Sequence, residues 1–408
     1  MDTLQYQKKT KLAIFLSSLL SEPLFTVYGF VALILCKDLH ATALQISILT
    51  MLRPVVSIFS FYWSAGLAKG GGKNLRSNII GAGLLGRLPF LFFPLVNDPW
   101  YVIGASAVYM LFFRAGNPAW IEILKLNMPS EARHKSFSLG HTLSYLENIV
   151  LTLAFGAFLD KDPGLWRILF FSSALLGMLN LLVFARLPIN YKMEAAPQPM
   201  GSLKEFILRP WKTSWELCRN RPDFARFQWG FMLAGFGIMV LQPAIPMFLV
   251  DKLHITYMDF GIALSLCKGL GITLSSPLWA RAMNKLSIFT MARWVFFLFS
   301  LFPLFLIFSP WNLFWLYLAY TFYGIGQGGS HLVWNLSGPS FSGKQDSSIY
   351  SGVNVMMVGL RGAVAPPFGG FLTAALGPFA TILCAIGVSV SSVFFMKSER
   401  KKKPTEIS

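Results

Sequence analysis

Charge is scarce in this chain, and acid is scarcest of all. Of its 408 residues 13% are charged, and 35 Lys and Arg stand against 18 Asp and Glu. With 54% hydrophobic residues, too little polar surface remains to cover a soluble domain of this size. Cysteine is nearly missing: Cys36, Cys218, Cys267 and Cys384 are scattered, without metal or redox spacing, and read as packing residues. Short stretches alternating apolar and polar residues are absent, which excludes a membrane β-barrel. Neither a His-Glu-x-x-His nor a Gly-x-Ser-x-Gly motif occurs. The segment from Gly70 to Asn74 fails as a phosphate-binding loop, because Leu67 stands where the first glycine belongs and Asn74 where Ser or Thr belongs. No ATPase domain, cofactor, metal or enzymatic activity is expected.

What is present is long apolar runs. About 20 residues of helix cross a bilayer, and segments of that order occur at 11–36, 43–68, 77–96, 99–124, 136–159, 164–187, 223–249, 257–281, 289–309, 311–336, 347–374 and 376–396. They predict an all-α polytopic membrane protein of about 12 transmembrane helices. The net charge of +17 first suggests nucleic acid. Its distribution instead marks one membrane face: Lys8, Lys9, Lys11, then Lys69, Lys73, Arg76, then Lys125, Arg133, Lys135, and further on Arg281, Lys285 and the tail Lys401, Lys402, Lys403. The opposite loops hold only Lys37, Lys161, Arg167 and Lys252. Both termini are therefore expected in the cytoplasm, in a cell membrane of the bacterial inner type, with lipids and no nucleic acid as partners. The first run is too long for a secretory signal and lacks a following Ala-x-Ala, so it reads as an uncleaved helix.

One long polar interruption, residues 188–222, divides the spans into an N-terminal half, 1–187, and a C-terminal half, 223–396, followed by a basic tail, 397–408. Within the bridge, Ser202 and Glu205 form a capping box. Leu203, Phe206, Ile207, Trp211 and Trp215 suit a helix lying on the membrane surface, with Pro210 expected to kink or break it. The halves echo each other. Pro99-Trp100 opens the fourth span as Pro310-Trp311 opens the tenth, and Ser136 to Gly140 precedes the fifth as Ser348 to Gly352 precedes the eleventh.

Five cations fall at mid-span: Arg53, Arg87, Arg114, Lys268 and Arg361. Facing lipid they would together cost on the order of 12–18 kcal/mol, so they are expected to face protein or a wet cavity. Helical period tests this, since residues three, four and seven apart share a face. Stripes run through Ser18, Glu22, Thr26 and Gly29 in the first span, and Thr50, Arg53, Ser57, Ser60 and Ser64 in the second. The fifth carries His141, Ser144, Asn148 and Thr152, the seventh Gln228, Gly235 and Gln242, and the eighth Ser265, Lys268 and Ser275. Tyr320, Tyr323, Gln327, His331, Trp334 and Asn335 line the tenth; Ser347, Ser351, Asn354 and Arg361 line the eleventh. Stripes without charge have close packing as their simpler reading. So does Gly81-Ala82-Gly83-Leu84-Leu85-Gly86, a dinucleotide fingerprint misplaced inside a span. Arg87 is read as a packing brace.

Six spans, a bridge and six more, with Ala65-Gly66-Leu67-Ala68-Lys69-Gly70-Gly71-Gly72-Lys73 after the second span, resemble the major facilitator superfamily. The family's loop runs Gly-x-Leu-Ala-Asp-x-x-Gly-Arg; Leu67, Ala68, Gly72 and the basic Lys73 match, whereas Ala65 and Lys69 depart. The resemblance implies a secondary transporter, with Lys69, Gly72 and Lys73 as its conformational-switch loop. It also implies a cavity lined by the first, fourth, seventh and tenth helices, flanked by the second, fifth, eighth and eleventh. Arg114-Ala115-Gly116-Asn117-Pro118 is similar to the Arg-x-x-Gln-Gly motif of the family's proton-coupled exporters.

The expectation is transport of a small anionic or zwitterionic solute by alternating access in a monomer, coupled to a proton or another ion. Arg53, Lys268, Arg361, Tyr320, Tyr323, Gln327, His331, Asn117, Gln228 and Gln242 are the solute-binding candidates. Glu22, Arg114, His141 and Glu147 are the proton-coupling ones. The alternatives are a proton-driven multidrug exporter, or a sensor, scaffold or membrane enzyme on the same fold.

Overall fold

A computed structural model of the chain describes residues 3–64, 71–190, 203–283, 285–342 and 347–396, and every regular element among them is helical. The reason is the solvent. In hydrocarbon no water satisfies a free backbone group, so an apolar chain closes its hydrogen bonds within helices.

Among the described residues the elements form twelve rods that fall on the twelve apolar segments. The first is α1 (Thr3–Tyr28) continued by α2 (Val31–Lys37); next come α3 (Ala43–Ser64) and α4 (Gly71–Arg87), which tightens into a 3-10 stretch, Leu88–Leu95. The fourth joins α5 (Pro99–Ala115) to α6 (Asn117–Asn127), followed by α7 (Ser130–Lys161) and α8 (Trp166–Arg186). After the bridge helix α9 (Leu203–Asn220), the seventh joins α10 (Pro222–Leu241) to α11 (Ala244–Asp251). The eighth runs from α12 (Tyr257–Gly261) through a π-helical segment, Ile262–Cys267, into α13 (Lys268–Met283). Then follow α14 (Ile288–Phe308), α15 (Leu313–Ser342) and α16 (Ser347–Phe395), the last being two helices joined at Gly377. Eight stretches among the described residues are, by length and hydropathy alone, sufficient to cross a membrane: 4–37, 74–95, 139–161, 163–186, 222–251, 257–283, 288–308 and 353–395.

Proline and glycine explain most of the breaks. Gly29 separates α1 from α2, Pro118 opens α6, and Pro243 opens α11; proline fits a helix start because the amide it lacks has no partner there. In the bridge, α9 continues through Pro210 without a break. Trp215 of α9 is 74% exposed. On so open a helix the carbonyl that proline orphans can bond solvent, so the helix can continue past it. Ser202 and the basic tail lie outside the described residues.

The described residues pack as two compact units. One holds residues 1–201, 242–266 and 362–379; the other holds 202–241, 267–361 and 380–408. An aromatic cluster anchors each. In the first unit Phe90 stacks on Phe170 at 5.2 Å and Phe93 meets Trp166 at 5.6 Å. In the second, Phe224, Phe227 and Phe341 pack together at 5.2 Å.

An internal repeat absent from the sequence reading emerges at two helix ends. Leu39-His40-Ala41-Thr42 follows α2, and Leu253-His254-Ile255-Thr256 follows α11. Both histidines turn the chain with φ 49°. Ala41 then donates its backbone N–H to Leu35 as Ile255 does to Leu249, and Thr42 and Thr256 cap the next helices through Gln45 and Asp259.

Gly377, at φ 83° and ψ 165°, occupies backbone space that is open essentially to glycine alone. Gly377→Ala should therefore lower stability by about 1–3 kcal/mol. Gly104→Ala, where a methyl group meets nothing within 4 Å, should be neutral or stabilising. Melting curves of the two purified variants check the contrast.

Candidate functional site

The polar stripes find each other in pairs. In the first unit α1 and α7 run in register: Gly140 lies against Ser18, Ser144 and Asn148 are hydrogen-bond partners of Glu22, and Asn148 Nδ2 donates to Thr26 Oγ1 at 2.9 Å. Each step advances four residues on both helices, so one face of α1 meets one face of α7. Ser265 extends this line, donating to Thr152 at 2.9 Å and Asn148 at 3.2 Å. Glu147 stands near Glu22, and its Oε2 is buried with no partner.

The second unit repeats the arrangement between α10 and α16. Gln228 Nε2 donates to Asn354 Oδ1, and Asn354 Nδ2 donates in turn to Ser337 at 2.7 Å. Seven residues on, the Arg361 guanidinium occupies the space left open by Gly235, donates from Nη1 to the Phe231 carbonyl at 2.8 Å, and lies 5.5 Å from the Phe231 ring. Arg361 is 7% exposed, and its Nε has no partner. Lys268 begins α13 directly after the π segment, and its Nζ lies 5.3 Å from the centroid of the Tyr323 ring. There α13 and α15 touch backbone to backbone, since a Cβ on Gly324 would collide with the Lys268 carbonyl. Tyr320 and Tyr323 both pack on Phe302, at 5.3 and 4.7 Å. Gln327 Oε1 is buried without a partner, whereas His331 is exposed.

The remaining candidates are more dispersed. Arg53 on α3 and Arg114 at the end of α5 are exposed and close enough to repel each other. Asn117 and His141 are exposed as well. Gln242, read from the sequence as continuing the Gln228 and Gly235 stripe, belongs to the first unit, because α10 ends at Leu241. Lys69 lies outside the described residues, as do the side chains of Gly72 and Lys73, which open α4. Among the described residues neither Arg87, Arg114 nor Arg361 forms an ion pair; pairs elsewhere include Lys125 with Glu122, Lys212 with Glu216 and Arg221 with Asp223.

One cluster escaped the sequence reading. At the end of α7, Asp160 accepts the backbone N–H groups of Tyr257 at 2.7 Å and Met258 at 2.9 Å, capping α12. The Tyr257 hydroxyl donates to Asp38 at 2.6 Å, and Lys37 donates to the Ile255 carbonyl at 3.0 Å while lying 4.7 Å from the Tyr257 ring. These bonds fasten the loop after α11 to helix ends of the N-terminal half, inside the first unit. The only sequence signal was the Leu-His-x-Thr repeat flanking them.

Comparison with known proteins supplies the family. The sequence profile of the Major Facilitator Superfamily matches residues 14–366 and again 230–408. The chain belongs to the Major Facilitator Superfamily. No curated protein matches it by sequence. Among solved structures a point mutant of the nucleoside transporter NupG superposes with a TM-score of 0.71 at 14% identity, covering 96% of this chain and 98% of that one. A bacterial homolog of the human lysosomal transporter Spinster, inward-facing and unoccupied, gives 0.67 at 14%, covering 96% and 95%. The human organic anion transporter MFSD10 gives 0.58 at 14%, covering 96% and 99%. At these identities the likeness is one of fold. Membership makes the chain a multi-pass membrane protein and a secondary transporter of a small solute.

Burial raises the Asp38 carboxyl above its ordinary range, outweighing Tyr257, Lys37, Arg167 and His40, which pull it down. The folded protein thus keeps this proton at pH values where the unfolded chain has lost it. The stabilisation is complete below the ordinary value of 3.8 and disappears as pH rises through the raised one. The melting temperature of wild type relative to Asp38→Asn should therefore increase as pH falls from about 7 to about 4. A constant difference contradicts the burial of Asp38.

Proposed function

We propose that the protein moves a small anionic or zwitterionic solute by alternating access, with a proton as the coupling ion. The observation that carries this reading is the surplus of positive over negative charge at mid-span in its membrane helices. Arg53, Arg87, Arg114, Lys268 and Arg361 stand against Glu22 and Glu147, and Arg87, Arg114 and Arg361 make no ion pair among the described residues. Where cations in low dielectric outnumber carboxylates, a carboxylate brought in by a solute is favoured. In the first unit Arg53 and Arg114 would receive it. In the second, Lys268 and Arg361 would, beside the unpartnered acceptors Gln228 Oε1 and Gln327 Oε1, which suit the donor groups of a zwitterion.

Glu22 is the coupling group of this proposal. It is held by Asn148 and Ser144 next to a second carboxyl, Glu147, with no cation bonded to either among the described residues. Two neighbouring carboxyls titrate as a pair and can carry a single proton between them. Asn117, Gln242, Tyr320, Tyr323, His331 and His141 complete the proposed solute and proton path. The chain would act as a monomer, in a membrane of the bacterial inner type with both termini on the cytoplasmic side, as its basic loops suggest. The switch loop at Lys69, Gly72 and Lys73 carries a cation in place of the family's aspartate, so switching would rest on other contacts.

Proteoliposomes test the proposal. An acid-driven uptake screen of organic acids and amino acids should find a solute whose transport falls at least about tenfold in Arg53→Gln and in Lys268→Gln, the loss expected when a charge-assisted bond is removed. Glu22→Gln should keep exchange of that solute against itself while losing the response to a pH gradient. Uptake confined to lipophilic cations, or unchanged in both basic variants, refutes the reading in favour of a drug exporter.

A further inference from the structure

We propose a second anion site, in a cavity of the first unit and centred on Arg87, that takes a small organic monoanion with an apolar body. It goes beyond the transport reading and does not rest on it. Between α1, α4, α5, α6 and α8 lies a cavity of about 180 Å³, far more than the ~10–15 Å³ that admits one water. Ser17, Ser21, Arg87 and Asn180 form one polar wall, Tyr109 and Asn117 add polar groups elsewhere in the lining, and no lining residue is acidic.

The hydrogen bonds of that wall leave donors of Arg87 and Ser21 unused. Ser17 Oγ donates to Asn180 Oδ1 at 2.9 Å, and Asn180 Nδ2 donates to Ser21 Oγ at 3.0 Å. Arg87 Nη2 also donates to Ser21 Oγ, at 3.2 Å, and Nη1 donates to the Gly83 carbonyl at 3.0 Å. Both lone pairs of Ser21 are thereby used, so its own proton points elsewhere. Arg87 Nε is out of solvent with no partner. The wall thus offers N–H and O–H groups and a full positive charge, and no carboxylate in the lining balances that charge. A carboxylate on a ligand supplies an acceptor and the opposite charge together.

The opposite wall selects the rest of the ligand. Phe112, Phe113, Trp120 and Phe184 face the cavity, and Phe113 and Asn117 at its rim are exposed. An aromatic or short aliphatic carboxylate fits both walls. The site is also kept open for Arg87: a Cβ on Gly177 would collide with Nε. Ser17 and Ser21 lie near the middle of the 4–37 span, a depth at which a phospholipid headgroup does not reside, so the proposal commits to a free acid.

Benzoate is the probe, with benzamide as its neutral counterpart, titrated calorimetrically into the full chain in zwitterionic-lipid nanodiscs. The background is Arg53→Gln/Lys268→Gln, which removes two of the proposed transport cations. Benzoate should bind there and benzamide should not. Adding Arg87→Gln should weaken benzoate by about tenfold or more, Arg87→Lys by less, and Gly177→Ala should weaken it while leaving charge and helix content unchanged. Equal binding of benzoate and benzamide, no benzoate binding in this background, or insensitivity to both Arg87→Gln and Gly177→Ala overturns the site while leaving the transport reading standing. Anionic phosphatidylglycerol in the disc should not compete; if it abolishes benzoate binding, the occupant is a lipid headgroup and the free-acid proposal is wrong.

Discussion

A guanidinium or ammonium placed within a bilayer must be compensated by something other than water, and this molecule has few carboxylates with which to do it. The compensation it finds for Arg361 and Arg87 is neutral: a backbone carbonyl and an aromatic face for the first, a hydroxyl and a carbonyl for the second. Such partners offset part of the desolvation cost but leave the positive charge in place. Helix contacts are shaped around these side chains, since Gly235 and Gly177 leave the space that Arg361 and Arg87 fill. A sequence under pressure only to fold would have an easier solution in leucine. Retaining the charge is intelligible when a solute of opposite sign completes the site.

The same economy appears in how helices join. The α1–α7 and α10–α16 pairs are zipped by amides and hydroxyls, Asn148 to Thr26 in one and Gln228 to Asn354 in the other. In lipid such bonds hold helices together where apolar contact alone offers little driving force. Neutral bonds of this kind exchange readily, which suits a protein that must repack its helices in each cycle. At Asp160 and Tyr257 the fastening is stronger, because a carboxylate there meets the N-terminus of α12.

Much of this was legible before any coordinates. Twelve apolar runs of bilayer length became twelve rods, and the four-residue beat of Glu22, Thr26 and of Ser144, Asn148 did mark faces that meet. Periodicity names a face but not its partner. That Asn148 pairs with Thr26, 122 residues away, or Asp160 with Tyr257, 97 away, depends on tertiary packing that no local pattern encodes. At Pro210 the local signal for a helix break is not realised, because an exposed helix can lend its freed carbonyl to solvent. Arg87 was read as a brace because the third helix is usually peripheral in the family the sequence resembles; its cavity is built from residues of five helices and has no linear signature.

The central claim is that the sign of the solute is set by this surplus of membrane-embedded cations. It is tested most directly by the thermal stability of the purified protein in a matched series on one carbon skeleton: carboxylate, amide and amine. The account predicts that carboxylates, and amino acids that retain one, raise the melting temperature in a saturable way while amides and amines do not. Stabilisation by the amines, with the carboxylates inert, would contradict it.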